Sequence, residues 1–430
     1  MNPTPVILIF DIGKTNKKLF LFDEGYQVVH EETAQFSEIQ DEEGFPCEDL
    51  VTLTHWIQSS INTIKQNSAY AIKAVHCAAY GASLVYIDVN GKPLLPLYNY
   101  LKPFQESTKT QFESNYGSMD EMSLATASPY LGNLNAGLQL YRMKMEQPEK
   151  FSKIKCVLHL PQYIHYLNTD KLAADITSIG CHTMLWNFAE KKYHHWVIKE
   201  GLDKLFPTID TAVGLHDSSS ALIPYLSSFT EPFVLISTGT WCISLNPFND
   251  SILTTNELHQ DVLCYLSYTG MPVKASRLFS GKEHELAVVA LNNQFNKPAD
   301  YYTTLKYNTN IDIEKNSNIL DIQSLFDSSY FKDFETAYHN LIATLVRKQI
   351  ISTNLIIATT KVKRIFVDGG FSNNEIFMNL LAKAYPAYEV FAAAIPQASA
   401  LGAALAIHEN WNATAVPNNL ISLQYYSTKN

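Results

Sequence analysis

The stretch that decides the fold runs from Val6 to Phe22 and reads VILIFDIGKTNKKLFLF. Its first five residues are a continuous apolar run, long enough for a buried strand, and its last four are apolar again. A polar turn stands between them, with Asp11 and Gly13 near its start. The pattern predicts a hairpin of two strands whose turn is rich in hydrogen-bonding groups.

A similar pattern recurs in the second half of the chain. An apolar run at 233–236 enters the turn Ser237-Thr238-Gly239-Thr240, and a second strand-like run leaves it. Further on, Arg364 and the apolar run at 365–367 lead into Asp368-Gly369-Gly370 and then a segment with helical periodicity. The second hairpin makes a faint internal repeat with the first, which favours two related halves.

Length and composition agree with two domains, which we place at residues 1–230 and 231–430. A single hydrophobic core rarely grows to 430 residues. With 46% hydrophobic and 17% charged residues, the chain has the ratio of a globular protein and not of a disordered one. A net charge of −10 argues against binding to nucleic acid or to a membrane surface, for which a basic stripe is usual.

Three further features of the sequence bear on the compartment of the protein and on whether it spans a membrane. The six cysteines form no Cys-x-x-Cys pair, which indicates reduced thiols, and the N-terminus has no signal-peptide pattern. The uncharged run Val390–Ile407 is broken by Pro396 and Gln397, so we interpret it as a strand followed by a buried helix. We therefore expect a cytoplasmic protein without a membrane span.

Glycine-containing turns of this kind suit a phosphate group. A glycine lets the backbone approach a phosphate closely, and turn amides and hydroxyls then donate to its oxygens. Taken singly, each turn is more often only a turn. Two such turns, together with an Asp-Gly-Gly before a helix, favour a phosphate site.

The ordered set of motifs resembles the FGGY carbohydrate kinases, a branch of the actin/hexokinase/Hsp70 superfamily. The matches run in family order and span nearly the whole chain, although no single one is decisive. They are Phe10–Asn16 (first phosphate motif), Gly214–Asp217 (catalytic aspartate), Ser237–Trp241 (second phosphate motif), Asp368–Asn373 (adenosine motif) and Gln397–Ala404 (alanine-rich helix). The resemblance implies an α/β fold of two ribonuclease-H-like domains with the active site in the cleft between them. The sugar side, the first phosphate turn and the catalytic aspartate would belong to the N-terminal domain, and the second phosphate turn and adenosine motif to the C-terminal one.

The resemblance also implies roles for particular residues. Asp217 is the expected catalytic base and Asp11 the expected Mg²⁺ ligand. The expected sugar contacts are Tyr80, Gly81, His216, Asp217 and Ser218. The expected ATP contacts are Gly13, Lys14, Thr15, Asn16, Lys17, Thr238, Gly239, Thr240, Gly369, Gly370, Ser372 and Asn373.

Some of these residues also have a purely structural interpretation. Without the resemblance, Asp217 reads as the N-cap of a helix that begins at Ser218, and His216 as a buried histidine. His182 and Trp186 resemble the sugar-side region of the family, but a buried tryptophan is more often part of a core.

The reaction implied is transfer of the ATP γ-phosphate to a hydroxyl of a ketose. The pair His216-Asp217 and the Ser-Thr-Gly-Thr-Trp turn resemble the branch acting on deoxy-ketohexoses such as L-rhamnulose or L-fuculose. The family's usual Arg-x-x-x-Asn-x-x-Gly stretch is replaced by residues 274–283, which leaves the nucleotide contacts of residues 277–285 open. A pentulose or polyol kinase and a non-catalytic, nucleotide-dependent sugar sensor are the alternatives. The expected partners are the sugar and ATP, and a homodimer is left open.

Overall fold

The fold is built on two large β-sheets, one in each half of the chain. The computed structural model describes residues 2–311, 313, 331–357 and 360–426. Its strands are β1 (Thr4–Ile12), β2 (Lys17–Asp23), β3 (Val28–Ala34), β4 (Ile39–Gln40), β5 (Pro46–Cys47), β6 (Tyr70–Ala79), β7 (Leu84–Ile87), β8 (Cys156–His159), β9 (Ala174–Asp175), β10 (Trp186–Asn187), β11 (Lys192–Tyr193), β12 (Ile209–Asp210), β13 (Leu215–His216), β14 (Phe233–Thr238), β15 (Cys242–Asn246), β16 (Val262–Leu266), β17 (Pro272–Leu278), β18 (Arg364–Gly369), β19 (Glu389–Ala394) and β20 (Ser422–Tyr426).

Helices cover both sheets and fill the connections. The α-helices are α1 (Leu50–Gln66), α2 (Glu106–Tyr116), α3 (Met119–Thr126), α4 (Ala136–Glu146), α5 (Pro148–Phe151), α6 (Leu160–Thr169), α7 (Ile176–Ile179), α8 (His195–Lys199), α9 (Asp217–Ser228), α10 (Thr255–Leu258), α11 (Ser280–Phe295), α12 (Phe334–Ile357), α13 (Glu375–Ala384), α14 (Ala398–Ala406) and α15 (His408–Trp411). Within the described residues, no helix combines the length and the apolar character needed to cross a membrane.

The two sheets share one strand arrangement. The first sheet has the order β3-β2-β1-β6-β13, in which β2 is antiparallel to its neighbours while β1, β6 and β13 are parallel. The second contains the same arrangement as β17-β15-β14-β18-β19, with β16 and β20 added at its edges. This repeated topology confirms the predicted ribonuclease-H-like fold class.

The first sheet is buried on both faces, as its apolar central strand requires. All five residues of the run Val6–Phe10 are fully buried. One face packs against α1 and α6. The start of α1 is fixed by Asp49, whose side chain accepts hydrogen bonds from the backbone amides of Val51 and Thr52. The opposite face packs against α9, α14 and α15.

Helix α9 lies between the two sheets. Ile223 packs into the core of the first sheet, whereas Leu222 and Tyr225 pack into the core of the second. Helix α14 runs beside α9 at very short range, because a Cβ at Gly402 would lie 1.8 Å from the Ser220 carbonyl oxygen. The remaining face of the second sheet is covered by α11, α12 and α13.

A mostly helical insertion separates β6 from β13. Its core is aromatic: the ring of Phe112 lies 5.1 Å from those of both Tyr141 and Trp196. The Asn90-Gly91 pair predicts a hairpin over residues 85–92, and the structure contains its turn: Gly91 has φ +75°, and the chain returns antiparallel through a single bridge between Ile87 and Pro93. The longer ladder of β7 is formed with β8, about 70 residues further along the chain, and the sequence did not indicate it.

The proposed division between residues 230 and 231 falls in the connection between α9 and β14. Helices α14 and α15 lie between β19 and β20 of the second sheet in sequence, yet they pack on the first sheet. The boundary itself stays a prediction.

Candidate active site

Asp11 and Asp217 meet at the carboxyl ends of parallel strands in the first sheet. Asp11 lies at the end of β1, and Asp217 directly follows β13. Both line one open cavity between the first phosphate turn and α14. The other residues that line it are Gly13, Thr15, Asn16, Lys18, Gln397 and Ser399. The structure thus brings the expected base and the expected metal ligand together.

Asp217 is the first residue of α9 and not its cap. The N-cap is His216, whose side chain makes no capping hydrogen bond. The Asp217 Oδ1 atom accepts hydrogen bonds from the Ser218 amide at 2.6 Å and from its hydroxyl at 3.3 Å. Its side chain is 35% exposed toward the cleft, but partial enclosure still raises its pKa to about 6. The carboxylate is ionised at neutral pH, and its pKa is close enough to neutral pH for it to accept a proton.

Asp11 is anchored from the other half of the chain. Its Oδ2 accepts a hydrogen bond from the Ser399 hydroxyl at 2.7 Å. Burial raises the pKa of Asp11 to about 6; the Ser399 hydrogen bond and the Lys18 charge oppose the rise, and the Asp217 charge adds to it. The side chains around Asp11 are mainly oxygen donors, the type of ligand that Mg²⁺ prefers, so the residues present fit a magnesium ion.

A second cavity opens on the other side of Asp217. It shares Asp217 and Ser399 with the first cavity. Tyr265 and Asp368 from the second sheet also line it; Asp368 begins the expected adenosine motif without an assigned contact, and Tyr265 was not expected from the sequence. Asp368 accepts a hydrogen bond from the Tyr225 hydroxyl at 3.1 Å, and burial raises its pKa. No local sequence pattern marks Tyr265 as a site residue. It reaches the cavity from β16, an edge strand of the second sheet, so its position depends on the pairing of distant strands.

The predicted sugar contacts divide into two groups. His216 lies directly against Gly81, because a Cβ built on Gly81 would come within 2.4 Å of the His216 Nε2 atom. The ring centres of His182 and His216 are 5.8 Å apart. Burial lowers the pKa of His182 to about 3 and that of His216 to about 4, so both rings are neutral at pH 7. Tyr80, by contrast, donates its hydroxyl to Glu48.

Trp186 belongs to the core of the insertion. Its ring centre lies 5.8 Å from that of Tyr193, and it packs against the aromatic cluster there. We therefore include His182 in the candidate sugar side and leave Trp186 out.

The largely apolar cavity at the ends of β14 and β18 brings the second phosphate turn and the adenosine motif together. Four expected ATP contacts line it: Thr238, Gly239, Gly370 and Asn373. The cavity has further lining residues that were not among the expected ATP contacts, namely Gly281, His284, Tyr302, Thr303, Leu305, Lys306, Phe371, Asn374 and Glu375. Residues 281 and 284 fall in the segment whose nucleotide contacts the sequence left open.

The other expected ATP contacts in this region shape the turns. Gly369 has φ +84°, and a Cβ there would lie 1.9 Å from the Thr238 carbonyl oxygen. The Ser372 hydroxyl donates to the Gly369 carbonyl oxygen at 2.7 Å. The Thr240 carbonyl accepts a hydrogen bond from the Lys282 amide, which ties the turn to the start of α11.

The three lysines of the first phosphate turn have different settings. Lys17 is buried, and its ammonium lies 2.7 Å from Glu48 and donates to the Lys14 carbonyl. Lys14 is partly exposed and paired with Glu38 at 2.7 Å. Lys18 is the lysine that lines the Asp11 cavity, because it is the cross-strand partner of Asp11. We therefore leave Lys17 out of the candidate ATP site and add Lys18.

Comparisons with known proteins agree with this arrangement. The model of the N-terminal domain of the FGGY family of carbohydrate kinases matches residues 6–203. The model of the FGGY carbohydrate kinase C-terminal domain matches residues 230–311. The chain is 23% identical over 262 residues to a rhamnulokinase of Halalkalibacterium halodurans, and 23% identical over 259 residues to one of Mannheimia succiniciproducens. These matches span 55% of this chain and 55% and 52% of the two relatives, about half of their length.

Solved structures resemble the whole described fold. A carbohydrate kinase from Novosphingobium aromaticivorans has a TM-score of 0.78 at 18% identity, over 99% of this chain and 94% of that one. A xylulose kinase from Lactobacillus acidophilus also scores 0.78, at 14% identity over 98% and 93%. A glycerol kinase from Plasmodium falciparum, solved with ADP, scores 0.74 at 16% identity over 95% and 90%. At these identities the similarity establishes the fold alone.

Proposed function

Because the chain belongs to the FGGY family of carbohydrate kinases, we propose that it transfers the γ-phosphate of ATP to a hydroxyl of a sugar. One observation carries the proposal: Asp217 and Ser399 line both cavities at the centre of the cleft. The Asp217 carboxylate therefore stands between a phosphate-side space that contains Asp11 and an acceptor-side space that contains Tyr265.

In the proposed reaction Asp217 orients the attacking hydroxyl and accepts its proton. The two hydrogen bonds from Ser218 hold the carboxylate in place, so that little reorganisation is needed. Because phosphoryl transfer depends mainly on positioning and charge neutralisation, the base acts late, as the new O–P bond forms. Ser218 acts through Asp217 and is a positioning residue.

The phosphate side is built from turn amides and the Lys18 ammonium. Gly13, Thr15 and Asn16 line the cavity from the first turn, and Thr238 and Gly239 approach from the second. Asp11 would hold Mg²⁺, which when bound neutralises charge on the phosphates. Ser399 fixes the orientation of the Asp11 carboxylate.

The adenosine of ATP is proposed to occupy the cavity at the end of β18. His284, Tyr302 and Phe371 supply aromatic and apolar surface there, and Asn373 and Asn374 supply amide groups. A cavity of this kind, mostly apolar with a few convergent polar groups, is typical of a small-molecule site.

The acceptor is proposed to be a neutral ketose. Because the buried rings of His182 and His216 are neutral, they offer hydrogen bonds to hydroxyl groups and no positive charge to an acid. The similarity to rhamnulokinases and the pair His216-Asp217 favour a deoxy-ketohexose such as L-rhamnulose or L-fuculose. The xylulose and glycerol kinases among the structural neighbours keep a pentulose or polyol as the second candidate.

The test is ATP-dependent phosphorylation across a panel of L-rhamnulose, L-fuculose, D-xylulose, L-ribulose, glycerol and gluconate. We expect the highest kcat/KM with a deoxy-ketohexose and no turnover of gluconate, because that acceptor is an anion. Turnover of none of the neutral acceptors by a folded protein that binds ATP would overturn the proposal and favour the non-catalytic sugar sensor.

A further inference from the structure

A thiol and two imidazoles converge beside the catalytic aspartate. One ligand atom from each of Cys181, His182 and His216 lies within 4.8 Å of the other two. Among the described residues this is the one group of at least three His, Cys, Asp or Glu side chains found close enough together to hold a metal ion. The proposed reaction uses the imidazoles for hydrogen bonds and gives the thiol no task.

The hydrogen bonding of this cluster is incomplete. Cys181 and His216 are almost fully buried, with 1% and 4% of their surface exposed. The Nδ1 atoms of His182 and His216 are both buried without a hydrogen-bond partner. Buried polar atoms are nearly always paired in folded proteins, so each of these two ring nitrogens can accommodate a further partner.

From this convergence we infer that Cys181, His182 and His216 form a binding site for a soft divalent cation such as Zn²⁺, and that its occupancy excludes the sugar. Thiolate and imidazole are the ligands that Zn²⁺ prefers, whereas Mg²⁺ prefers oxygen. The site is therefore chemically distinct from the Asp11 position. On binding, the Cys181 thiol loses its proton to solvent as the metal–sulfur bond forms, and each imidazole donates a ring-nitrogen lone pair.

The geometry needs only a small adjustment to hold the ion. Tetrahedral zinc with bonds of about 2.0–2.3 Å places its nitrogen and sulfur ligands roughly 3.4–3.6 Å apart. The three ligand atoms, within 4.8 Å of one another, must therefore approach by little more than about 1 Å. His182 adopts a left-handed backbone conformation, φ +41°, and this allows two successive residues to direct their side chains to one point.

The cluster adjoins Tyr265, and Asp217 is the nearest candidate for a fourth ligand. The Tyr265 ring lies 6.4 Å from that of His182 and 6.3 Å from that of His216, and Tyr265 lines the acceptor-side cavity. The Asp217 Oδ1 atom lies 3.5 Å from His216 Nδ1. A metal ion at the cluster would thus draw on the proposed base and occupy the space against which the sugar is proposed to lie.

The first test measures binding alone and does not depend on the proposed function. Purified full-length protein is titrated with Co²⁺, a spectroscopic probe for Zn²⁺ sites, and then with Zn²⁺ under equilibrium dialysis. We expect one metal ion per chain, a thiolate-to-cobalt charge-transfer band and displacement of Co²⁺ by Zn²⁺. Cys181→Ser should weaken Zn²⁺ binding at least about tenfold and abolish the band. The matched control is Cys264→Ser. This variant alters a different buried cysteine, which lies in β16 of the second sheet.

A crystallographic measurement covers the case in which Cys181→Ser fails to fold. Crystals of the wild-type protein soaked in Zn²⁺ should give an anomalous peak between the three side chains. Absence of the peak together with absence of the charge-transfer band overturns the inference, as does equal loss of binding in both cysteine variants.

The second test rests on the proposed function. With Mg-ATP in excess and free Zn²⁺ buffered, Zn²⁺ should raise the apparent KM for the sugar, leave kcat unchanged and leave the KM for ATP unchanged. Zinc binding without this competition overturns the claim that the ion excludes the sugar. Zinc binding by a protein that phosphorylates no acceptor overturns the proposed function and leaves the metal site standing.

Discussion

The Ser399 hydroxyl donates a hydrogen bond to the Asp11 carboxylate across 2.7 Å, although 388 positions separate the two residues. The contact joins the start of α14 to the end of β1. A second bond, from the Ser220 hydroxyl to the Ser399 carbonyl at 2.7 Å, holds the same turn against α9. The proposed metal ligand is thus oriented by a residue that lies between the last two strands of the second sheet in sequence.

Ser399→Ala should weaken the response of the enzyme to Mg²⁺. Loss of the hydrogen bond raises the pKa of Asp11 further, because that bond opposes the effect of burial. A hydrogen bond to a charged group contributes roughly 1.5–3 kcal/mol, so the Mg²⁺ concentration for half-maximal activity should rise at least about tenfold. The measurement is initial rate against Mg²⁺ at saturating ATP. Ser227→Ala, at an exposed serine of α9, is the control and should leave the curve unchanged.

Asp217→Asn should abolish turnover while ATP binding persists. Asparagine keeps the size of the side chain but cannot accept the proton, and general-base catalysis contributes about 10²–10⁴-fold to a rate. Single-turnover rates and nucleotide titration of the same protein separate the two effects. Asp210→Asn, at an exposed aspartate, should retain full activity. A wild-type rate for Asp217→Asn would show that the base has been misassigned.

The pH profile should have an acid limb near pH 6. Burial raises the pKa of both Asp11 and Asp217 to about 6, and each must be ionised to act. Since ionisation is lost as pH falls through these values, kcat/KM should decline below about pH 6, with a slope between 1 and 2 because the two groups interact. Activity regained on return to pH 7.5 excludes unfolding as the cause. A profile that stays flat down to pH 4.5 contradicts the assignment.

Lys17→Met should destabilise the protein far more than Lys14→Met. The Lys17–Glu48 pair is almost fully buried, with side-chain exposures of 2% and 4%, whereas Lys14 and Glu38 are 25% and 43% exposed. Removing one partner of a buried pair costs roughly 3–5 kcal/mol, because a buried charge is left uncompensated. An exposed pair contributes about 0–1 kcal/mol. Urea unfolding of both variants gives the comparison, and Lys17→Met/Glu48→Leu should recover part of the loss.

Gly81→Ala should affect the sugar and not the nucleotide. The added methyl group would lie 2.4 Å from His216 Nε2, so the imidazole must move away from its position beside Asp217. We expect the KM for the sugar to rise about tenfold or more while the KM for ATP is unchanged. Gly25→Ala, whose Cβ would meet its nearest atom at 3.3 Å, is the matched control.

Much of the fold could be predicted from local patterns. The apolar runs of β1 and β14 are central strands, and the break at Pro396 separates β19 from α14 as expected. Apolar residues with helical spacing between Leu50 and Ile64 predict a helix, and α1 is found there. Each of these elements has either a strong hydrophobic periodicity or a continuous apolar run. The observed element type buries those apolar side chains better than a different secondary structure would.

The errors came from information that is not local. The signal at Asn90-Gly91 correctly marks a local turn, with a bridge between Ile87 and Pro93, but it could not reveal that β7 also pairs with β8. Ser372 with Glu375 three residues later has the pattern of a capping box, which predicts that Ser372 caps the next helix. In the structure Asn374 is the cap and its side chain accepts the Phe377 amide, because a short 3₁₀ segment intervenes. Lys17 and Lys18 are adjacent in sequence and point to opposite faces of β2, and only the pairing of Lys18 with Asp11 distinguishes them. Because side chains alternate along a strand, the predicted hairpin already implied that Lys17 and Lys18 lie on opposite faces.

Helix α9 has two structural roles in this chain. Its first residue is the proposed base, and its apolar side chains Leu222, Ile223 and Tyr225 are divided between the cores of both sheets. Any rotation of one sheet relative to the other must therefore turn or shift this helix. The angle between the two sheets and the orientation of the Asp217 carboxylate are therefore coupled. In the proposed reaction, closure of the cleft aligns the base without a further conformational change.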